Sequence, residues 1–177
     1  MNLWQKLVEK YKSTVIEFPN LKPVTLAQWA LESGRGSSEL AKKHFNFGGM
    51  KYRREMATVA EPVEYDAHDG TDTYCKFKSV DDFIKGYWIF IDRSPYTGWR
   101  ESASSGLDFI RYIGPTYCPT AGYVDKVLRL LPDAERLLDV ADEDEPERPS
   151  RSDNRIPIDP PIIRYHDRIQ HVVRGGR

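Results

Sequence analysis

The chain has 177 residues, enough for one domain with a sizeable core plus an extension, and its 26 Lys and Arg nearly balance 27 Asp and Glu. A net charge of −1 leaves no global field to attract nucleic acid or a membrane surface, and no apolar run approaches the roughly 20 residues of a membrane span. Two cysteines (Cys75, Cys118) and four histidines (His44, His68, His166, His171) show neither a disulfide framework nor metal-ligand spacing, so no metal or cofactor is expected.

Residues 2–17 read as an amphipathic helix with Trp4, Leu7, Val8, Tyr11 and Val15 on one face. This charged opening lacks the apolar stretch of a secretory signal, so export by the general route is not expected. Phe18 to Pro23 end that helix, and Thr25 is the expected N-cap of the next one, which carries Trp29 and Glu32. Residues 38–43 suggest a short helix running into Asn46-Phe47-Gly48-Gly49-Met50-Lys51, whose glycines mark a tight turn. Between Val63 and Phe77 the period changes to two around His68-Asp69-Gly70-Thr71, a hairpin signal. Ser79-Val80-Asp81-Asp82 resembles a capping box before an apolar helix ending ahead of Pro95. A further helix is expected over residues 100–113 and a loop over 114–120. A last helix then starts at Tyr123, interrupted or restarted at Pro132. Trp29, Trp88 and Phe109 read as core, whereas Trp99, between Gly98 and Arg100, reads as exposed and available to stack on a sugar ring. Residues 141–149 are acidic and proline-bearing, as a solvated linker should be. Residues 156–177 regain apolar character and either pack back on the domain or lead into a further one, the second reading being preferred.

Glu32 lies in Leu31-Glu32-Ser33-Gly34-Arg35-Gly36, where an apolar helix meets two glycines that let the backbone turn sharply. A carboxyl held there against apolar neighbours is poorly solvated, which raises its pKa toward the range of a general acid. Taken alone, such a glutamate is more often an ordinary residue near a helix C-cap.

The surrounding residues add a family pattern. Residues 27–41 resemble the catalytic segment of bacterial glucosaminidases of glycoside hydrolase family 73, which includes peptidoglycan hydrolases of flagellar assembly, autolysins and phage lysins. Asn46-Phe47-Gly48-Gly49-Met50-Lys51 is similar to the family's Asn-x-Phe-Gly-Ile-Lys element, Tyr74 to Ser79 to its Phe-Arg-x-Tyr-x-Ser strand end, and Tyr117 to Tyr123 to its Tyr-Ala-Thr-Asp-Pro-x-Tyr loop. The resemblance runs in order over about residues 10–131. Arg35 stands where tryptophan is frequent, Gly48 replaces the phenylalanine, and Pro119 and Thr120 break the Ala-Thr-Asp pattern.

The resemblance implies a mainly helical α+β fold: a lysozyme-like domain with a small β-hairpin lobe over residues 1–140, followed by a linker and extension over 141–177. It implies Glu32 as the general acid. The second carboxylate is Glu64 on the hairpin, with Glu61 as the competing candidate, and Tyr117 is the active-site tyrosine. Asn46, Phe47, Tyr65, Trp99, Thr120 and Tyr123 are the expected substrate contacts. The implied activity is an endo-β-N-acetylglucosaminidase acting as a monomer on peptidoglycan glycan strands of the bacterial wall. A lytic transglycosylase or muramidase on the same scaffold, or a wall-binding module without catalysis, are the alternatives. Delivery would be by holin-dependent lysis or specialised secretion, with a fused or delivered partner domain joined through the extension.

Overall fold

The computed structural model describes residues 1–67 and 70–138, with Ala67 described in its backbone only. The hairpin-tip residues His68 and Asp69, and the linker and extension expected over 141–177, lie outside the described residues. The fold is mainly helical with one two-stranded antiparallel sheet.

Helix α1 (Leu3–Ser13) opens with a reciprocal cap: the Asn2 side chain accepts from Gln5 N–H while the Gln5 side chain accepts from Asn2 N–H. Its buried stripe is Trp4, Leu7, Val8 and Tyr11. The helix is shorter than expected. The backbone turns extended at Thr14, which throws Val15 out of helical phase, leaving it 93% exposed while Ile16 turns inward.

Helix α2 (Lys22–Ser33) begins earlier than expected because Pro23 sits in its first turn, where no N–H is needed. Thr25 is therefore not the cap. Its hydroxyl lies inside the core, bonded to the Leu21 carbonyl at 2.9 Å and the Tyr11 hydroxyl at 2.8 Å. Every residue from 23 to 30 is buried, as in a helix packed on all sides, and α2 packs against three later helices, Gly106–Tyr117, Tyr123–Arg129 and Leu131–Leu138. Trp29 sits at the centre, with the rings of Tyr11, Phe83 and Tyr87 at 4.6, 4.8 and 5.0 Å between centroids.

Helix α3 (Glu39–His44) is capped by Ser38, and a loop then leads to strands β1 (Ala60–Ala67) and β2 (Gly70–Phe77). Their register runs from Ala60 opposite Phe77 to Ala67 opposite Gly70. The other edge of β2 is also bonded: Cys75 N–H reaches the Met50 carbonyl at 2.9 Å, and Tyr52 N–H reaches the Thr73 carbonyl at 2.8 Å. Pro62 pairs with Cys75, whose N–H points away toward Met50, so the proline's missing donor leaves nothing unmade.

Helix α4 (Val80–Ile91) starts at the Ser79 cap, as the sequence suggests. Helix α5 (Gly106–Tyr117) starts and ends later than expected, a short 3-10 turn occupying Trp99–Ser102. Pro115 does not end it, because the last turn closes through Cys118 N–H onto the Gly114 carbonyl at 2.9 Å. Tyr117 is consequently held on a helix rather than a loop. Helix α6 (Tyr123–Arg129) is followed by α7 (Leu131–Leu138), with Pro132 in the first turn of the restart. Cys75 and Cys118 are both free thiols.

Trp99 differs most from its sequence reading. It is 3% exposed, packed between Phe18, Trp88 and Phe109 at 5.4, 5.5 and 5.7 Å. Its indole N–H donates to Asp92 at 2.9 Å and the Arg100 guanidinium covers its face at 4.5 Å. Every polar need is met inside the fold, so the ring offers no platform to a sugar. Among the described residues no helix is long and apolar enough to cross a membrane, and no cluster of His, Cys, Asp and Glu is arranged to hold a metal ion.

Candidate active site

Glu32 is the next-to-last residue of α2, and the turn behind it is built to stop the helix there. Gly34, Arg35 and Gly36 all adopt positive φ (55°, 53° and 75°). The Ser33 hydroxyl donates to the Trp29 carbonyl at 2.6 Å and accepts from Gly36 N–H at 2.9 Å, and Ser38 N–H bonds the Ser33 carbonyl at 2.9 Å. Gly36 suits this turn because its φ of 75° would strain a side chain, and a Cβ there would stand 3.3 Å from Phe47. Arg35, the non-glycine in this left-handed run, reaches Asp133 of α7 at 3.0 Å and ties the turn to the last helix.

The carboxyl of Glu32 is half-buried. Its Oε1 accepts a hydrogen bond from the Tyr123 hydroxyl at 2.6 Å, and its Oε2 lies 3.4 Å from where a Cβ on Gly49 would stand. Burial raises its pKa above the ordinary carboxylate range, and the Tyr123 bond opposes that rise only in part. The Tyr123 hydroxyl accepts from Gln28 Nε2 at 3.0 Å, and Gln28 Oε1 accepts from the Tyr87 hydroxyl at 2.6 Å. Gln28 and Tyr87 are fully buried. Neither was singled out from sequence. Gln28 left a usable trace, a polar side chain four residues before Glu32 on one face of an apolar helix, whereas Tyr87, 59 residues away from Gln28, left none.

Tyr117 stacks on Tyr123 with centroids 6.3 Å apart and planes 10° from parallel, and its hydroxyl donates to the Gly48 carbonyl at 2.6 Å. Any Cβ at position 48 would lie 2.7 Å from that hydroxyl. The glycine standing in place of the family's phenylalanine is thus what lets Tyr117 approach the loop. Burial, followed by the nearby Glu32 carboxylate, pushes the Tyr117 phenol well above its ordinary pKa, so it serves as a hydrogen-bond donor, not as a base.

The structure brings Glu32, Tyr117 and Tyr123 together with the 48–49 backbone, and it places the other expected contacts elsewhere. Asn46 is 1% exposed and fully engaged: its Nδ2 donates to the Met50 and Cys75 carbonyls at 2.9 and 3.0 Å, and its Oδ1 accepts from Met50 N–H at 2.9 Å. Phe47 is fully buried between Trp4 and Phe83. Both anchor the glycine loop from inside the fold instead of facing a sugar. Tyr65 is half-buried, edge-on to Tyr74 at 5.8 Å. Thr120 is exposed and lines an open cleft of about 510 Å³ with Pro115, Cys118 and Tyr123. Glu61 and Glu64, being odd and even, occupy opposite faces of β1. Glu61 pairs with Lys78 at 3.3 Å and Lys76 at 3.8 Å, while Glu64 is exposed opposite Thr73, with no ion pair to another described residue.

A family model described as Glucosaminidase, mannosyl-glycoprotein endo-beta-N-acetylglucosaminidase, matches residues 9–136. The chain belongs to this glucosaminidase family. It is a glycoside hydrolase by that membership. Among solved structures it is similar to an N-acetylmuramoyl-L-alanine amidase from Staphylococcus aureus, with 23% identity and a TM-score of 0.60 over 82% of this chain. The present chain spans 44% of that protein's chain. It is also similar to a peptidoglycan hydrolase from Sphingomonas sp. A1, with 16% identity and a TM-score of 0.53 over 81% of this chain and 94% of that one. The catalytic domain of the autolysin Auto from Listeria monocytogenes is 24% identical over 77% of this chain and 80% of that one, with a TM-score of 0.47. The first two likenesses establish a shared fold. No curated protein matches the chain. The glucosaminidase match takes in every member of the Glu32 cluster, from Gln28 to Tyr123.

Proposed function

We propose that this glucosaminidase domain cuts peptidoglycan glycan strands at the β-1,4 bond between N-acetylglucosamine and the following N-acetylmuramic acid, with Glu32 as the general acid. The observation carrying this reading is the Glu32 carboxyl itself. It is braced at a helix end, raised in pKa by burial, and has one oxygen held by Tyr123 and the other beside the side-chain-free Gly49. A wall-binding module has no use for a carboxyl whose ionisation the fold disfavours. Mass spectrometry of digested sacculi tests the bond assignment: N-acetylglucosamine reducing ends are expected. N-acetylmuramic acid or anhydro ends would assign the domain to a muramidase or lytic transglycosylase instead.

Glycoside cleavage also requires a group on the far face of the sugar. Of the two candidate hairpin glutamates, Glu61 is occupied by Lys76 and Lys78, so Glu64 is the one we assign to activating water, with inversion at the anomeric carbon. Glu64→Gln should lower kcat by about a hundredfold, the lower end of general-base contributions, and proton NMR of fresh digests should show the inverted anomer. A rate near wild type with a retained anomer would pass the role to the substrate's own acetamido group, oriented by Tyr117.

A further inference from the structure

We propose that Gln28 and Tyr87 are positioning residues that hold the acid proton of Glu32 on Oε2, by fixing the direction of the hydrogen-bond chain that ends on Oε1. This rests on the reading of Glu32 as the general acid. The chain has three links, each with its donor set by the one before it. The Tyr87 hydroxyl donates to Gln28 Oε1 at 2.6 Å, so the amide presents its Nε2 to Tyr123 at 3.0 Å. With its oxygen receiving that N–H, the Tyr123 hydroxyl directs its own proton onto Glu32 Oε1 at 2.6 Å. Oε1 is then an acceptor in both charge states of Glu32. When the carboxyl is protonated, its proton has one place left, Oε2, the oxygen facing Gly49.

The arrangement bears on catalysis because a carboxyl has two oxygens and only one faces the loop that lacks a side chain. Without the fixed direction, Glu32 could turn its proton inward and donate from Oε1 to the Tyr123 oxygen. With it, the Oε2–H bond breaks as the proton passes to the glycosidic oxygen, and the anomeric C–O electron pair leaves with that oxygen. The carboxylate left behind finds the Tyr123 donor already aimed at Oε1. No dipole has to turn during the step, which is the condition for low-cost electrostatic stabilisation in a buried site. Gln28 and Tyr87 touch no substrate and are fully buried, so their effect falls on kcat, not on KM.

The test compares Gln28→Met and Tyr87→Phe with wild type and Glu32→Gln, using full-length chain and peptidoglycan. Gln28→Met should lower kcat about tenfold, the effect of weakening one hydrogen bond to a charged group, with KM unchanged. Its high-pH limb should move upward, because a weaker donor to ionised Oε1 leaves Glu32 protonated to higher pH. Tyr87→Phe, which removes a single oxygen, should shift both quantities in the same direction by less, and it carries the test if Gln28→Met does not fold. Isotope-edited infrared spectra should show the protonated Glu32 carbonyl hydrogen-bonded in wild type and shifted to higher frequency in both variants. Folded variants that keep the wild-type kcat and pH limb, and lose only thermal stability, would overturn the positioning role. So would a wild-type carbonyl free of hydrogen bonding. Glu32→Gln keeps the two readings apart: activity surviving there removes the acid assignment itself, whereas an inactive Glu32→Gln beside wild-type-like Gln28 and Tyr87 variants removes only this inference.

Discussion

Glu32→Gln is expected to lower peptidoglycan hydrolysis by about three orders of magnitude, within the range of general-acid contributions, without disturbing the fold. The amide keeps the shape of the carboxyl and still accepts from Tyr123, but it has no proton to give to a leaving oxygen. The same substitution should change how stability depends on pH. Burial sets the folded-state pKa of Glu32 above that of the unfolded chain. A group shifted this way favours the folded state below its unfolded pKa, and that contribution is lost as the pH rises through the folded value. Wild type should therefore lose stability relative to Glu32→Gln between those two values, and thermal melts across that window read the difference. Parallel melting curves at every pH would mean that Glu32 is not the buried titrating carboxyl, and full activity would remove it from the chemistry.

Asn46→Ala should destabilise the domain by about 3 kcal/mol, because it strands three buried backbone groups at about 1 kcal/mol or more each. These are the Met50 N–H and the Met50 and Cys75 carbonyls, all now satisfied by one amide. The midpoint of thermal unfolding should fall by about 10 °C. Hydrolysis should fall too, since this amide pins the loop that sets Gly49 against Glu32 and Gly48 beneath Tyr117. If Asn46 instead bound a sugar, the variant would show a raised KM with an unchanged melting midpoint. That pair of measurements separates an anchor from a contact.

The stop of α2 after Glu32 could be read in the sequence because its causes are local. An apolar run, a Ser able to bond back into the helix, and glycines suited to positive φ follow one another directly along the chain. The cap at Ser79, the short helix beginning about Ser38 and the hairpin pattern were legible for the same reason. Trp99 was misread because its burial depends on partners from three other segments, Phe18, Trp88 and Phe109, and on Arg100 lying over its face instead of extending into solvent. Asn46 and Phe47 were noticed as a motif, but a motif does not say which way its side chains point. They point inward, and between them and Met50 it is Gly49 that is partly exposed. The extent of α5 was missed because Pro115 is a reliable stop signal only where nothing beyond it can close the last turn. Gln28 and Tyr87 meet only once α2 and α4 are packed together.

One consequence of the hairpin concerns crowding. β2 is bonded along both edges, so β1 is the outer strand, and Glu61, Pro62, Glu64 and Asp66 along it are all exposed, Glu61 on one face and the other three on the opposite one. A proline with no donor, set among three carboxylates, makes a poor template for another chain's strand. Many copies gathered on one polymeric substrate would repel each other along this rim and would not zip together. The lobe that we assign to the far side of the sugar is thereby kept from self-association by its own outer strand.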